Sequence, residues 1–332
     1  MYEPADCRVG SWFGGAPNVT TRHTPIPSEG RARKFVEGLR YWHAALSREQ
    51  FDVFEGFNLP PVRPRTGRSL LTIHDIRGIH TVKPLMTRAA SRVFFGRSLR
   101  SADHVITVSD AMRNEILGFY PDIPISVIHN GLDFHRFASV PESDLLAVRQ
   151  KLALPTEFLL AVGHLESRKN YPLLVDAIAL LRDRGRSCHL LIVGNDNGSG
   201  REIQERVESA KLSGCVKLLS GLSDLEVRCL YKLSSLLVFP SSYEGFGIPI
   251  LEAMAAGCPM VLSDLPVFRE ITQNQGVYFP CRDAEQMAYA IEKVLSSSNE
   301  RKRLVEYGDE RIKAFSFQHL AADVERLYRS LP

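Results

Sequence analysis

FLLAVGHLESRKNYPLLVDAIALLRDRG, residues 158–185, changes its period halfway along. FLLAV is a short, unbroken apolar run. YPLLVDAIALLRDRG places apolar residues three and four apart, carries a proline in its first turn and ends on glycine. The first pattern marks a buried strand and the second an amphipathic helix. Gly163 permits a tight exit from the strand. Strand, loop and helix in that order form the repeating unit of a parallel sheet.

Working outward, the same alternation recurs. Candidate strands are FDVF (51–54), SLLTIH (69–74), HVITV (104–108), ISVIH (125–129), HLLIV (189–193), VKLL (216–219), LLVF (236–239) and MVL (260–262). Helical patterns separate most of them, which predicts an α/β protein with two doubly wound, Rossmann-like domains facing a cleft. The stretch 137–157 has no strand signal and separates the two series. The expected division is 1–150, 151–315 and a last helix, 316–332, packing back toward the first domain. MYEPADCRV makes a poor opening strand, and SWFGGAPN (11–18) reads either as the glycine turn of a first βα unit or as plain loop. On the second reading the first domain lacks that unit.

The bulk numbers exclude several classes. At 332 residues, 44% hydrophobic and 24% charged, the chain has the make-up of a soluble globular protein. A net charge of +3 gives no general attraction to nucleic acid. The six cysteines include no C-x-x-C and no zinc spacing, so buried thiols in a reducing compartment are expected, with no metal site. No apolar run reaches the ~18 residues of a membrane span, and the first residues lack a signal-peptide pattern. The expected location is cytoplasmic.

Three loops carry chemistry. Arg168 and Lys169 fall just before the helix that opens near Tyr171, where backbone N–H groups favour an anion. A guanidinium fork beside an ammonium suits a diphosphate, although a solvated basic pair has the same spelling. LLIVGNDNGSGREIQ (190–204) leaves a strand into glycines without a dinucleotide or P-loop fingerprint, and either approaches a base or ribose or simply turns. EGFGIPILEAMAAG (244–257) sets Glu244 on the loop after LLVF. Gly245 and Gly247 let a ligand come close, Pro249 stands at the first helical position, and Glu252 falls in the first helical turn. Carboxylates accept hydrogen bonds from hydroxyls strongly, so a sugar nucleotide fits; a helix-start Glu with a surface Glu is the plain alternative.

PSSYEGFGIPILEAMAAGCPMVLSD (240–264) closely resembles the E-x7-E signature of the family 4 retaining glycosyltransferases, which have the GT-B fold. TIHD (72–75), ADHVITVSD (102–110), VIHNGLD (127–133), VGHLESRKN (162–170) and VFREI (267–271) match that family in order. The resemblance implies that Glu252 accepts the ribose hydroxyls and that Glu244, with the backbone of Gly245, Phe246, Gly247 and Ile248, holds the donor sugar. Arg168 and Lys169 would grip the diphosphate beside Gly163 and His164, and His74 would face the reacting centre. Glu270 reads as an acid behind the site, and Asn130 and Gly131 as a turn. Many members have arginine where this chain has His164, and most begin with a buried strand and a glycine-rich loop that is not evident here.

The implied activity is transfer of a hexose, with mannose from GDP-mannose the leading choice, to a glycan or polyprenyl-linked acceptor in polysaccharide biosynthesis. No cofactor beyond the nucleotide sugar is implied, and fixed cations would replace a metal. A sugar-nucleotide-binding remnant without catalysis is the rival. A hydrolase would also use paired carboxylates, but both lie beside a phosphate loop. The helix PLMTRAASRVFFGRSLR (84–100) is expected to oppose Leu85, Met86, Ala89, Ala90, Val93 and Phe94 to its arginines. Such a face suits either an anionic membrane surface or the core.

Overall fold

The computed structural model describes residues 1–3, 16–26, 31–57, 62–80 and 85–331. The chain divides into two units. Met1–Val108, Met112–Val127 and Leu327–Pro332 form the first; Ser109–Ala111 and Ile128–Arg326 form the second. By its contacts the stretch from Ile128 to residue 150 groups with the second unit. The reason is packing: Leu145 and Val148 of the helix Glu142–Lys151 bury against Cys229, and Phe137 meets Tyr231 edge-on at 6.0 Å. A segment without strands belongs to whichever unit covers its apolar side chains.

In the first unit, β1 (Tyr2–Glu3) and β2 (Arg22–His23) form a two-residue parallel ladder. The strands β3 (Val53–Phe57), β4 (Arg68–Ile73), β5 (His104–Thr107) and β6 (Ile125–Val127) form a parallel sheet in that order. β4 is buried along almost its whole length, as expected of a central parallel strand covered on both faces. The helix Arg31–Arg48 turns Gly38, Trp42 and Leu46 inward, one every four residues, and Trp42 packs on Phe54. The proposed glycine turn at 11–18 falls largely outside the described residues. The helix Leu85–Ser101 departs from the expected pattern: Ala89, Ala90 and Val93 are exposed alongside Arg92 and Arg97, while Gly96, Ser98 and Leu99 are buried. Among its described side chains exposed apolar and basic residues share one face; those of Leu85 and Met86 lie outside the described residues.

The second unit holds β7 (Leu159–Val162), β8 (Leu190–Val193), β9 (Val216–Leu219), β10 (Leu236–Phe239), β11 (Met260–Ser263) and β12 (Val277–Phe279). All pair in parallel in the order β12-β11-β10-β7-β8-β9. This is a doubly wound sheet whose direction of winding reverses between β7 and β10, the point where such sheets open a crevice at their carboxyl ends. β12 has no counterpart among the predicted strands. The helices Tyr171–Asp183 and Ala284–Ser296 cover one face, burying Leu174, Ile178, Leu181, Met287, Ile291 and Val294 against the strands.

The last helix, Phe317–Ser330, groups with the second unit as far as Arg326 and with the first from Leu327. There Tyr328 donates to the carboxylate of Glu55, which also accepts from Thr72 Oγ1 at 2.6 Å. Of the described cysteines, Cys229 and Cys258 are buried, but Cys188, Cys215 and Cys281 are only half-buried. Among the described residues no helix is long and apolar enough to cross a membrane.

Candidate functional site

The loops that follow β7 and β10 flank the reversal point, and their charged side chains meet. After β7 the chain makes a short 3-10 turn, Ser167–Lys169, and passes through Asn170 in the left-handed conformation (φ 57°). It then enters the helix at Tyr171. This geometry turns Lys169 inward: its side chain is only 6% exposed, and Nζ lies 2.8 Å from Glu244 Oε1 and 4.7 Å above the Phe239 ring. Arg168 reaches Glu244 Oε2 at 2.5 Å with one Nη and Glu166 Oε1 at 2.6 Å with the other. The Ser241 hydroxyl donates to Glu244 Oε1 at 2.8 Å. Glu244 is thus engaged by three protein donors. Arg168 Nε is buried without a hydrogen-bond partner.

Gly163 makes this approach possible. A Cβ there would stand 2.9 Å from Lys169 Nζ and 3.2 Å from the Tyr171 hydroxyl, and its φ of +142° already favours glycine. Burial pushes the Lys169 pKa down, opposed by Glu244, and the net direction is downward. Burial also works to raise Glu244, but Lys169 and Arg168 outweigh it and hold the carboxylate below its ordinary value. For Arg168 burial acts downward, and Glu244 and Glu166 together raise it. Two basic side chains thus face two acidic ones.

The helix Ile248–Ala256 starts directly after Gly247 (φ +125°) and stops on left-handed Gly257 (φ +67°). Glu252 is therefore its fifth residue and not in the first turn, and the helix-end charge does not account for it. A different feature does. Tyr231, fully buried on the helix Asp224–Leu233, donates its hydroxyl to Glu252 Oε2 at 2.7 Å. Burial raises the pKa of Glu252, with Tyr231 and the Lys169 charge pulling it back. In the loop between the carboxylates, Gly245, Phe246 and Gly247 are buried and Ile248 is half-buried.

At the carboxyl ends of β7, β8 and β9 a cavity of about 250 Å³ is lined by Gly163, His164, Gly194, Asn195, Gly221 and Val227, among others. Gly194 is obligatory there, because a Cβ would lie 2.1 Å from the Gly163 carbonyl oxygen. His164 thus belongs to the cavity wall and makes no ion pair with the cluster. The second glycine loop divides its work. Gly194 and Asn195 line the cavity, whereas Asp196 folds its carboxylate onto the N–H groups of Gly198, Ser199 and Gly200 and starts the next helix.

His74 stands at the end of β4 in the first unit, stacked on the exposed ring of Phe57 at 6.2 Å and 15°. Loss of solvent lowers its pKa, against the pull of Asp75 and Glu55. Sequence reasoning did not reach Tyr231, Glu166 or Ser241. Their signal lies in three-dimensional proximity, except that Ser241 and Glu166 sit inside motifs already singled out.

Two family models match the chain: glycosyl transferases group 1 over residues 146–311 and glycosyltransferase family 4 over residues 6–136. The O-antigen chain mannosyltransferase RfbU of Salmonella typhimurium is 31% identical over 238 residues, 71% of this chain and 62% of that protein. O-antigen chain mannosyltransferase B of Escherichia coli is 29% identical over 274 residues, 80% of this chain and 71% of that protein. The chain thus spans about two thirds of the length of these relatives. In fold it resembles the sucrose-phosphate synthase structure from Thermosynechococcus elongatus, with a TM-score of 0.78, 21% identity, and 95% of this chain and 84% of that one covered.

Proposed function

The chain belongs to glycosyltransferase family 4, and from that premise we propose that it transfers a hexose, with retention, from a nucleotide diphosphate sugar to a glycan or polyprenyl-linked acceptor in polysaccharide biosynthesis. The observation that carries the reading is the meeting of Arg168, Lys169 and Glu244 on the loops after β7 and β10, at the reversal point of the second sheet, with Glu252 on the helix that follows. Arg168 and Lys169 would hold the diphosphate and stabilise the negative charge that grows on it as the glycosidic bond breaks. Glu252 would accept the ribose hydroxyls. The cavity beneath His164 would take the base, and the loop from Glu244 to Ile248 would meet the sugar. His74 would act at the reacting centre. The leaving phosphate would help take the proton of the acceptor hydroxyl as the new bond forms on the same face.

The names of the two relatives favour mannose, and GDP-mannose is the donor of choice. Because fixed cations serve the diphosphate, transfer should persist in excess chelator; complete loss restored by Mn²⁺ refutes this part. A station on the inner face of a membrane finds support in Val93 exposed beside Arg92 and Arg97. Co-sedimentation with vesicles that ignores anionic lipid content removes it.

The deciding experiment is a thermal-shift and calorimetric screen of GDP, UDP and their hexose derivatives, repeated with Glu252→Ala. Stabilisation of the wild type by one diphosphate series, lost in the variant with its unliganded melting unchanged, is the expected result. A wild type that binds none of them overturns the reading.

A further inference from the structure

We infer that Glu270 is a positioning residue for the donor sugar. Its carboxylate seats the buried loop Gly245–Gly247 from behind, and this seating decides how much better a nucleotide sugar binds than the bare nucleotide diphosphate. The inference rests on the functional reading above.

Glu270 lies near the end of the helix Pro266–Ile271, its side chain 19% exposed. It accepts the N–H groups of Asp110 and Ala111 at 2.8 Å each, one on each oxygen, and His129 Nε2 lies 3.0 Å from Oε1. These donors arrive from positions 160, 159 and 141 residues away in the chain. All belong to the second unit. Burial works to raise the carboxyl pKa, and the three donors reverse it, so the group is held ionised.

What Glu270 holds is what touches the loop. Ser109, fully buried and next to Asp110, donates its hydroxyl to the Gly245 carbonyl at 2.8 Å. The His129 ring lies 5.9 Å from the ring of Phe246 and 5.7 Å from that of Phe315. Phe268, two residues before Glu270, backs Gly247 so closely that a Cβ there would stand 3.0 Å from its ring. Three consecutive loop residues are thus each supported by a group that Glu270 fixes or adjoins. The loop has few anchors of its own: two of its three residues are glycines, and Gly247 sits at φ +125°. The helix that follows opens with N–H groups that have no acceptor within it, and their direction depends on the loop.

A carboxylate is the group this position requires. It offers acceptor sites on both oxygens at once, whereas a glutamine turns one of them into an NH₂ that confronts an N–H donor. Glu270→Gln therefore keeps the shape and breaks the seat. The diphosphate cluster at Arg168 and Lys169 and the Tyr231–Glu252 pair contain no atom of this network, so affinity for the bare diphosphate should hold.

The test is calorimetric binding of GDP, UDP, GDP-mannose and UDP-glucose to wild type, Glu270→Gln and Ser109→Ala, with hydrogen exchange of the unliganded proteins. Ser109→Ala keeps the bonds of Glu270 and removes the hydroxyl at Gly245, and it serves where Glu270→Gln fails to fold. The expected result is a nucleotide-sugar affinity about tenfold or more weaker. The diphosphate affinity should stay within about twofold, and exchange should quicken at residues 245–248. An unchanged ratio of the two affinities, with the wild type binding normally, overturns the positioning role alone. A wild type that binds none of the four overturns the functional reading and the donor-sugar role with it.

Discussion

Tyr231 and Glu252, on two different helices, are joined by a 2.7 Å hydrogen bond in which the buried phenol donates to a carboxylate whose pKa burial raises and the phenol pulls back. A hydrogen bond to a charged group contributes about 1.5–3 kcal/mol, so the bond keeps Glu252 oriented and ionisable. The Tyr231→Phe variant should bind nucleoside diphosphate about tenfold to a hundredfold more weakly. The pH dependence follows from the raised pKa of Glu252. Its folded state holds the proton more tightly than the unfolded chain, so this group favours folding at low pH and less so as pH rises through the folded pKa. Ribose binding needs the carboxylate, so affinity should fall on acidification at a pH above the ordinary glutamate range. The midpoint should move higher still in the variant. Titrations across pH check both; a midpoint unmoved by the loss of the phenol contradicts them.

Glu166 tempers the phosphate site. Glu166, Arg168, Lys169 and Glu244 sum to zero formal charge. Removing one anion beside two partly buried cations is worth roughly 1–2 kcal/mol toward an incoming anion. Glu166→Gln should therefore raise diphosphate affinity about fivefold to thirtyfold, as measured by calorimetry. Weaker binding would mean that Glu166 orients Arg168 more than it competes for it.

Gly163 and Gly185 separate strain from obstruction. Both have φ in the left-handed region, +142° and +83°, but a Cβ at Gly163 meets Lys169 whereas nothing lies within 4 Å of one at Gly185. Either alanine should cost about 1–3 kcal/mol of stability. Gly163→Ala alone should also abolish most diphosphate binding. Denaturant unfolding and calorimetry on the pair read the difference.

The helix Asp224–Leu233 opens on a capping box: Ser223 accepts from the Glu226 N–H, and Glu226 accepts from the Ser223 N–H at 2.7 Å. The Ser223 contacts, aided by Lys151, draw the Glu226 pKa down to about 2. A depressed carboxyl pKa contributes stability above the unfolded value of 4.5 and loses it as pH falls toward about 2. Ser223→Ala should cost about 1 kcal/mol at neutral pH, and its cost should shrink across that acid window. Nucleotide affinity should be unaffected. Chemical denaturation at several pH values checks the sign.

Much of the second sheet was legible from composition alone. LLVF coincides with β10, because an unbroken apolar run of four residues has few other uses in an α/β chain, and VKLL coincides with β9, where its one charged residue, Lys217, faces out. β12 was not legible: VYF is three residues long and follows a turn, and only pairing with β11 makes it a strand. The helix after Gly247 begins one residue earlier than its proline suggested, since the glycine at φ +125° carries the turn, and this moves Glu252 out of the first turn. Glu244 was identified as a site residue, but its engagement by three protein donors was hidden, because Arg168 and Lys169 are 75 or more residues away. The mixed face of the helix Leu85–Ser101 was misread because burial of Gly96 and Ser98, small and polar, runs against what hydropathy alone suggests.

Paired as they are, Arg168 and Lys169 project little potential into the surrounding water, since opposite charges a few ångströms apart cancel within a Debye length. Nucleotide capture should then proceed at ordinary diffusive encounter rates, with on-rates nearly indifferent to ionic strength. Discrimination falls to the dissociation step, after the ligand has arrived.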